Sequence, residues 1–157
     1  MIVSSAGVAE THRLGQRLGQ FLAAGDIVAL SGDLGTGKTE LTRGIAAGAG
    51  ASGAVTSPTF TFIHLYRGGV PIYHVDLYRI EAPRELDDLG LEDVLRESAV
   101  VIIEWAEKAG RYLPREHLGI GLRVAEGETA RELEFRATGR RYEQLLQAFA
   151  RGEDPRP

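Results

Sequence analysis

The chain has 157 residues, with 18 Lys and Arg against 22 Asp and Glu for a net charge of -4, and 43% of it is hydrophobic. That describes one soluble domain able to bury about 70% of its unfolded surface, expected to run over residues 1–150 with a disordered polar tail at 151–157. Zero Cys excludes a disulfide framework, a thiolate nucleophile and a zinc ribbon, and makes a reducing cytoplasm the expected compartment.

The longest aliphatic run, Ala99 to Ile103, falls far short of the roughly 20 apolar residues of a membrane helix. Met1 to Ser5 has neither the basic nor the apolar region of a signal peptide. The slightly acidic balance argues against broad electrostatic binding to nucleic acid, although an RNA-directed role through a partner is compatible with it. Gly is abundant, at 20 of 157, with no repeat to explain it. Lysine occurs only at Lys38 and Lys108 while arginine supplies the other basic residues. Each lysine therefore raises the question of what arginine could not do there.

Val8, Thr11, Leu14, Gly15, Leu18, Phe21 and Leu22 recur at helical spacing, predicting a helix near 6–23 with Ser4 or Ser5 as N-cap and Gly25 closing it. Asp26 to Leu30 reads as a buried strand entering glycine-rich sequence. A second helix begins near Gly37, turns Leu41, Ile45 and Ala46 inward, and stops in Gly48-Ala49-Gly50. Thr59 to Tyr66 and Val70 to Tyr78 predict a hairpin, with Gly68 and Gly69 at positive φ. Pro83 opens a short helix through Glu85 to Leu89. Ala99 to Ile103 fits a strand covered on both faces. Leu118 to Val124 and Leu133 to Ala137 alternate as an antiparallel pair with one wet face, and Tyr142, Leu145, Leu146 and Phe149 make a last helix. The expected fold is α/β, a three-layer P-loop NTPase-like architecture with a mixed, largely parallel sheet and an antiparallel C-terminal strand pair.

Gly32-Asp33-Leu34-Gly35-Thr36-Gly37-Lys38-Thr39 matches Gly-x-x-x-x-Gly-Lys-[Ser/Thr] in full, between a predicted strand and a predicted helix, as the phosphate-loop motif requires. Gly32, Gly35 and Gly37 let the backbone curl so that N–H groups line a nest at a helix N-terminus. Lys38 supplies a compact charge on a flexible stem that reaches β- and γ-phosphates, a task ill suited to the planar arginine fork. The Thr39 hydroxyl is suited to ligate Mg²⁺.

Such a site also calls for a carboxylate at the end of a neighbouring strand. Glu104 ends the aliphatic run, with an ordinary solvated strand end as the alternative. Asp76 lies in Tyr73 to Tyr78 with His74 on the same face, the alternative being an ion pair to Arg79 or Arg84. Trp105 is a core residue or part of the site. His12, His64, His74 and His117 lack metal-ligand spacing and read as surface or packing residues. Lys108 receives no role. The chain lacks the Asn-Lys-x-Asp string a guanine-specific GTPase needs, and a small-molecule kinase would usually start at the loop strand rather than after a helix.

Gly32 to Thr39, Ser57-Pro58-Thr59-Phe60, His74-Val75-Asp76-Leu77-Tyr78-Arg79, Leu89-Gly90-Leu91-Glu92-Asp93 and Ile103-Glu104-Trp105-Ala106-Glu107 occur in this order. Together they strongly resemble the TsaE (YjeE) family of bacterial tRNA threonylcarbamoyladenosine synthesis, over the chain to about residue 140. The resemblance implies a small Mg-dependent ATPase acting with TsaB and TsaD homologues and meeting tRNA only through that complex; on physical grounds an ATPase without its own acceptor pocket is expected to be slow until a partner orders its switch loop. The transfer step itself would belong to TsaD, and no membrane or DNA contact is implied. It further implies that Asp33, Leu34 and Thr36 join the glycines around the nucleotide, that Lys38 and Thr39 serve phosphate and magnesium, that Glu104 completes the metal site and Asp76 assists hydrolysis. Thr11 would contact adenine, residues 57–60 including Thr59 would form a switch-like loop, and Trp105 would be functional. Thr36 stands where many members carry alanine, a change expected to be harmless because its N–H still faces phosphate. A small-molecule kinase and a non-hydrolysing nucleotide-dependent interaction module are the rival readings.

Overall fold

The computed structural model describes residues 1–52 and 62–153. Its elements are β1 (Ile2–Ser5), α1 (Val8–Gly19), β2 (Ile27–Ser31), α2 (Lys38–Gly48), β3 (Ile63–Tyr66), β4 (Ile72–Asp76), α3 (Arg84–Leu89), α4 (Leu91–Leu95), β5 (Val100–Glu104), a 3₁₀ segment (Ala106–Tyr112), β6 (His117–Val124), β7 (Arg131–Thr138) and α5 (Arg140–Arg151). The seven strands form one sheet in the order β1-β7-β6-β2-β5-β4-β3. The inner four, β6, β2, β5 and β4, are mutually parallel, while β3, and β7 with β1 beyond it, add antiparallel edges. The mixed, largely parallel sheet and the antiparallel β6–β7 pair are thus as expected from the sequence.

Side chains of β2 and β5 alternate between two cores, which is why both strands read as unbroken apolar runs. Val28, Leu30, Val100 and Ile102 meet Leu18, Leu41, Ile45 and Phe149 of α1, α2 and α5. Ile27, Ala29, Val101 and Ile103 face Leu86, Leu91 and Ala109 on the other side. Helices on both faces give the three layers.

The α1–α2 crossing is built on glycine. A Cβ on Gly48 would lie 1.9 Å from Gln16 O, one on Gly44 2.2 Å from His12 O and one on Gly19 2.2 Å from Ile45 O, so the helix backbones touch where larger residues would separate them. This contact fixes α2, and with it the loop that feeds its N-terminus.

Four expectations are corrected. Ser4 and Ser5 do not cap a helix: they end β1, which pairs antiparallel with β7, and α1 starts from Gly7 with no side-chain cap. α1 also stops at Gly19 rather than near 23. Gly68 and Gly69 are not at positive φ; Gly68 is required instead by close approach, since a Cβ there would meet Gly50 O at 2.0 Å beside the Ala51–Gly68 bridge. Finally, Arg151 belongs to α5, which Gly152 closes at φ 68. Residues 154–157, and the expected start of the hairpin at Thr59, lie outside the described residues.

Candidate phosphate-binding and metal site

The site lies at the C-terminal ends of β2, β5 and β4, where adjacent parallel strands deliver their last side chains to one crevice. β2 runs into the loop at Gly32, and the loop closes into α2 at Lys38. Gly32, Gly35 and Gly37 adopt φ of 135, 80 and 102, the curl expected of them. Gly32 is also hemmed in, because a Cβ there would stand 2.3 Å from Leu122 O. The Thr36 hydroxyl donates to Asp33 O at 2.8 Å, and the Thr36 N–H, expected to face a phosphate, instead donates to the same oxygen at 3.4 Å.

Lys38 is only 5% exposed. Its ammonium donates to Gly32 O at 2.5 Å and Asp33 O at 2.8 Å and sits 4.3 Å from the centroid of the Trp105 ring. Burial pulls its pKa below the usual lysine value, opposed by the negative charge of Glu104, Glu107, Asp76 and Asp33. The loop thus holds a desolvated cation ringed by carboxylates, with little hydration to lose on meeting an anion.

Glu104, 2% exposed, is registered beside Leu30 of β2 on one side and Asp76 of β4 on the other. Its Oε2 accepts from the Thr39 hydroxyl at 3.2 Å. Its Oε1 lies 3.3 Å from Thr42 Oγ1 and 2.8 Å from His74 Nε2. The solvated-end alternative is therefore excluded for Glu104. Asp76 accepts the Tyr78 N–H at 3.0 Å and forms no ion pair among the described residues, to Arg79 or Arg84 or otherwise. Burial, reinforced by Glu104, raises its pKa against the opposing pull of the Tyr78 hydrogen bond, His74 and Lys38.

Trp105 has φ 58, the left-handed region a bulky residue rarely enters without tertiary constraint. Its indole packs on Tyr78, centroids 5.1 Å apart. Lys108, without a role in the sequence, donates to Tyr78 O at 2.5 Å and Ile80 O at 3.2 Å, tying the segment after β4 to the 3₁₀ segment that carries it. Leu34, Gly35, Gly37, Lys38, Thr39, Asp76, Glu104 and Trp105 line one cavity of about 440 Å³, together with Phe62, Tyr78 and Arg79.

Thr11 is not in that lining. It is 2% exposed, its hydroxyl 2.7 Å from Ser5 Oγ, and its methyl carbon stands 3.8 Å from where a Gly37 Cβ would be; it backs the loop. Thr59 lies outside the described residues. His74, assigned to surface or packing, is instead part of the site, wholly buried against Glu104. The signal was its two-residue spacing from Asp76.

Thr39 and Glu104 offer hard oxygen donors at one spot, the chemistry Mg²⁺ requires. Among the described residues no cluster of three His, Cys, Asp or Glu could hold a metal alone. The site thus fits an ion that arrives with a phosphate ligand and water and takes one hydroxyl and one carboxylate from the protein.

Fold and loop together define a P-loop NTPase-like α/β protein. The family model for "Threonylcarbamoyl adenosine biosynthesis protein TsaE" matches residues 5–133. A tRNA threonylcarbamoyladenosine biosynthesis protein TsaE of Bacillus subtilis is 42% identical over 92% of this chain and 90% of its own length. One of Streptomyces coelicolor is 44% identical over 78% of this chain and 84% of its own. The crystal structure of Bacillus subtilis YdiB superposes with a TM-score of 0.78 at 34% identity, covering 97% of this chain and 95% of that one. The chain belongs to the TsaE family.

Proposed function

We propose that this chain is the Mg-dependent ATPase subunit of tRNA threonylcarbamoyladenosine biosynthesis, hydrolysing ATP to ADP and phosphate to support cycling of TsaB and TsaD homologues. The observation that carries the reading is the meeting of three groups at the strand ends. The Lys38 ammonium lies in the glycine loop, and the Thr39 hydroxyl reaches the Glu104 carboxylate at 3.2 Å. Family membership and the role named for its relatives supply the biological setting.

In this reading the loop N–H groups and Lys38 bind the polyphosphate and stabilise charge that develops on it. Thr39 and Glu104 hold magnesium, which neutralises phosphate charge when bound. Asp76, neighbour to Glu104 in register and raised in pKa by burial, orients the attacking water and accepts its proton. Arg79 on the cavity wall adds positive potential. Leu34 and Tyr78, 72% and 48% exposed beside the cavity mouth, give a partner protein apolar surface to cover. RNA contact through partners suits the net charge of -4. The setting of such a subunit is the cytoplasm; the described residues contain no helix long and apolar enough to cross a membrane.

The test is nucleotide binding followed by product analysis. The reading expects Mg-ATP to bind, ADP and inorganic phosphate to form, and no member of a metabolite panel to become phosphorylated. A phosphorylated acceptor would favour the kinase reading, and binding without phosphate release the interaction module.

A further inference from the structure

His74 is a buried polar side chain of the site that the mechanism above leaves without a task. It is wholly inaccessible, and its Nδ1 has no hydrogen-bond partner among the described residues. An unpartnered ring nitrogen in an apolar layer is unfavourable, so packing alone would be better served by an apolar residue of similar volume. The other ring nitrogen, Nε2, lies 2.8 Å from Glu104 Oε1. An ionised carboxylate can only accept, so the shared proton sits on Nε2.

The donors divide the two oxygens of Glu104. Oε2 faces Thr39. Oε1 is met by His74 and, at the longer 3.3 Å, by Thr42. Thr42 has one hydroxyl proton, and Lys38 O competes for it at 3.0 Å. His74 is therefore the dedicated donor to Oε1. The backbone makes this contact rigid: His74 is paired through β4 to Ile102 of β5, two residues before Glu104, and to His64 of β3, so both partners stand on neighbouring strands rather than loops.

We propose that His74 is a positioning residue that clamps Oε1 of Glu104 and thereby presents Oε2, beside Thr39, to the magnesium ion of the bound nucleotide. The inference rests on the Mg-nucleotide reading and adds to it the residue that sets how strongly magnesium assists binding. Outer partners that orient a metal-ligating group commonly alter metal affinity 10- to 100-fold when removed.

Trp105 is the only tryptophan of the chain and lies against Lys38, so its fluorescence reports nucleotide binding. The experiment titrates ATP in excess EDTA and in excess MgCl₂ into the wild-type chain, His74→Gln and His74→Met, with a melting curve for each. For His74→Met the expected result is wild-type affinity in EDTA with at least a tenfold loss of the gain magnesium brings, and a melting temperature no lower than wild type. His74→Gln, whose amide carries an N–H to about the place of Nε2, recovers most of that gain. If His74→Met is unfolded at assay temperature, His74→Asn, polar but too short to reach Glu104, must show the same selective loss. A magnesium gain retained by His74→Met, or by the folded Asn variant, overturns the role of His74 alone. Equal loss in EDTA and magnesium also overturns it, because the defect is then structural. A wild-type chain that binds no nucleotide in either solution overturns this inference together with the function it rests on.

Discussion

Lys38 and Asp76 occupy the same cavity and are perturbed in opposite directions by the same cause, loss of water. For Lys38 the charged form is disfavoured by burial yet surrounded by carboxylates, so the lysine adds little to stability and much to anion binding. Lys38→Ala is expected to reduce phosphate release at least 100-fold, in the range seen when a single charge-stabilising donor is removed, while the melting temperature moves by a few degrees at most. For Asp76 the sign follows from the raised folded-state pKa. Between the ordinary carboxylate value and that raised value the folded chain binds more protons than the unfolded chain. Stability contributed by this group is therefore complete at low pH and declines as pH rises through that window. Asp76→Asn should raise the melting temperature slightly at pH 7, with the difference from wild type vanishing as pH falls below the ordinary carboxylate range. It should also lower hydrolysis by about 100-fold if the carboxylate handles the water's proton. A mutant that melts lower at pH 7 than at pH 4, relative to wild type, would contradict the assignment. At this scale the sequence was informative where one residue type has one chemistry. Lys38 and Thr39 follow from the loop pattern and Glu104 from its place at the end of an apolar run. For His74 the sequence offered only its spacing from Asp76, because its site role depends on a neighbour 30 residues away, and the role of Lys108 was hidden because its partners are backbone carbonyls across a turn.

The α1–α2 seam is the element on which the loop's position depends. Glycine inside a helix ordinarily costs about 1 kcal/mol relative to alanine, so replacing Gly48 would stabilise an isolated α2. In the folded chain the added Cβ would lie 1.9 Å from Gln16 O, and the helices must part. Gly48→Ala should therefore destabilise, by about 1–3 kcal/mol or several degrees in a chain this size, and weaken nucleotide binding by displacing α2. Gly121→Ala is the control. Its nearest contact is Ser31 Oγ at an ordinary 3.6 Å, and its melting temperature should match wild type within about 2 °C. If both variants behave alike, the seam does not set the loop. Elements with strong local patterns were legible from the sequence: β2 into its loop, β5 as an all-buried run, and β6 and β7 as alternating strands. β1 was not, because Ile2 to Ser5 becomes a strand only through pairing with Arg131 to Glu134, and a short run ending in two serines reads locally as a helix cap. Gly68 shows the same limit, since its requirement comes from Gly50 across the fold.

On the scale of the whole molecule, the strand order gathers β2, β5 and β4 side by side, so residues far apart in the chain reach one cavity at their ends. Separate sequence blocks around Lys38, Asp76 and Glu104 are consequences of that topology: each is the exit of one parallel strand. The same arrangement leaves Leu34 and Tyr78 exposed at the cavity they line. If the proposed ATPase reading holds, turnover is expected to be slow until a partner covers these two side chains. The most direct measurement is phosphate release from Mg-ATP by the purified chain, alone and with the TsaB and TsaD homologues of the same organism, with Lys38→Ala as the blank. The account predicts slow release alone, a clear stimulation by the pair, and loss of both in the Lys38→Ala chain. A rate unchanged by the pair, or one that survives Lys38→Ala, would contradict it.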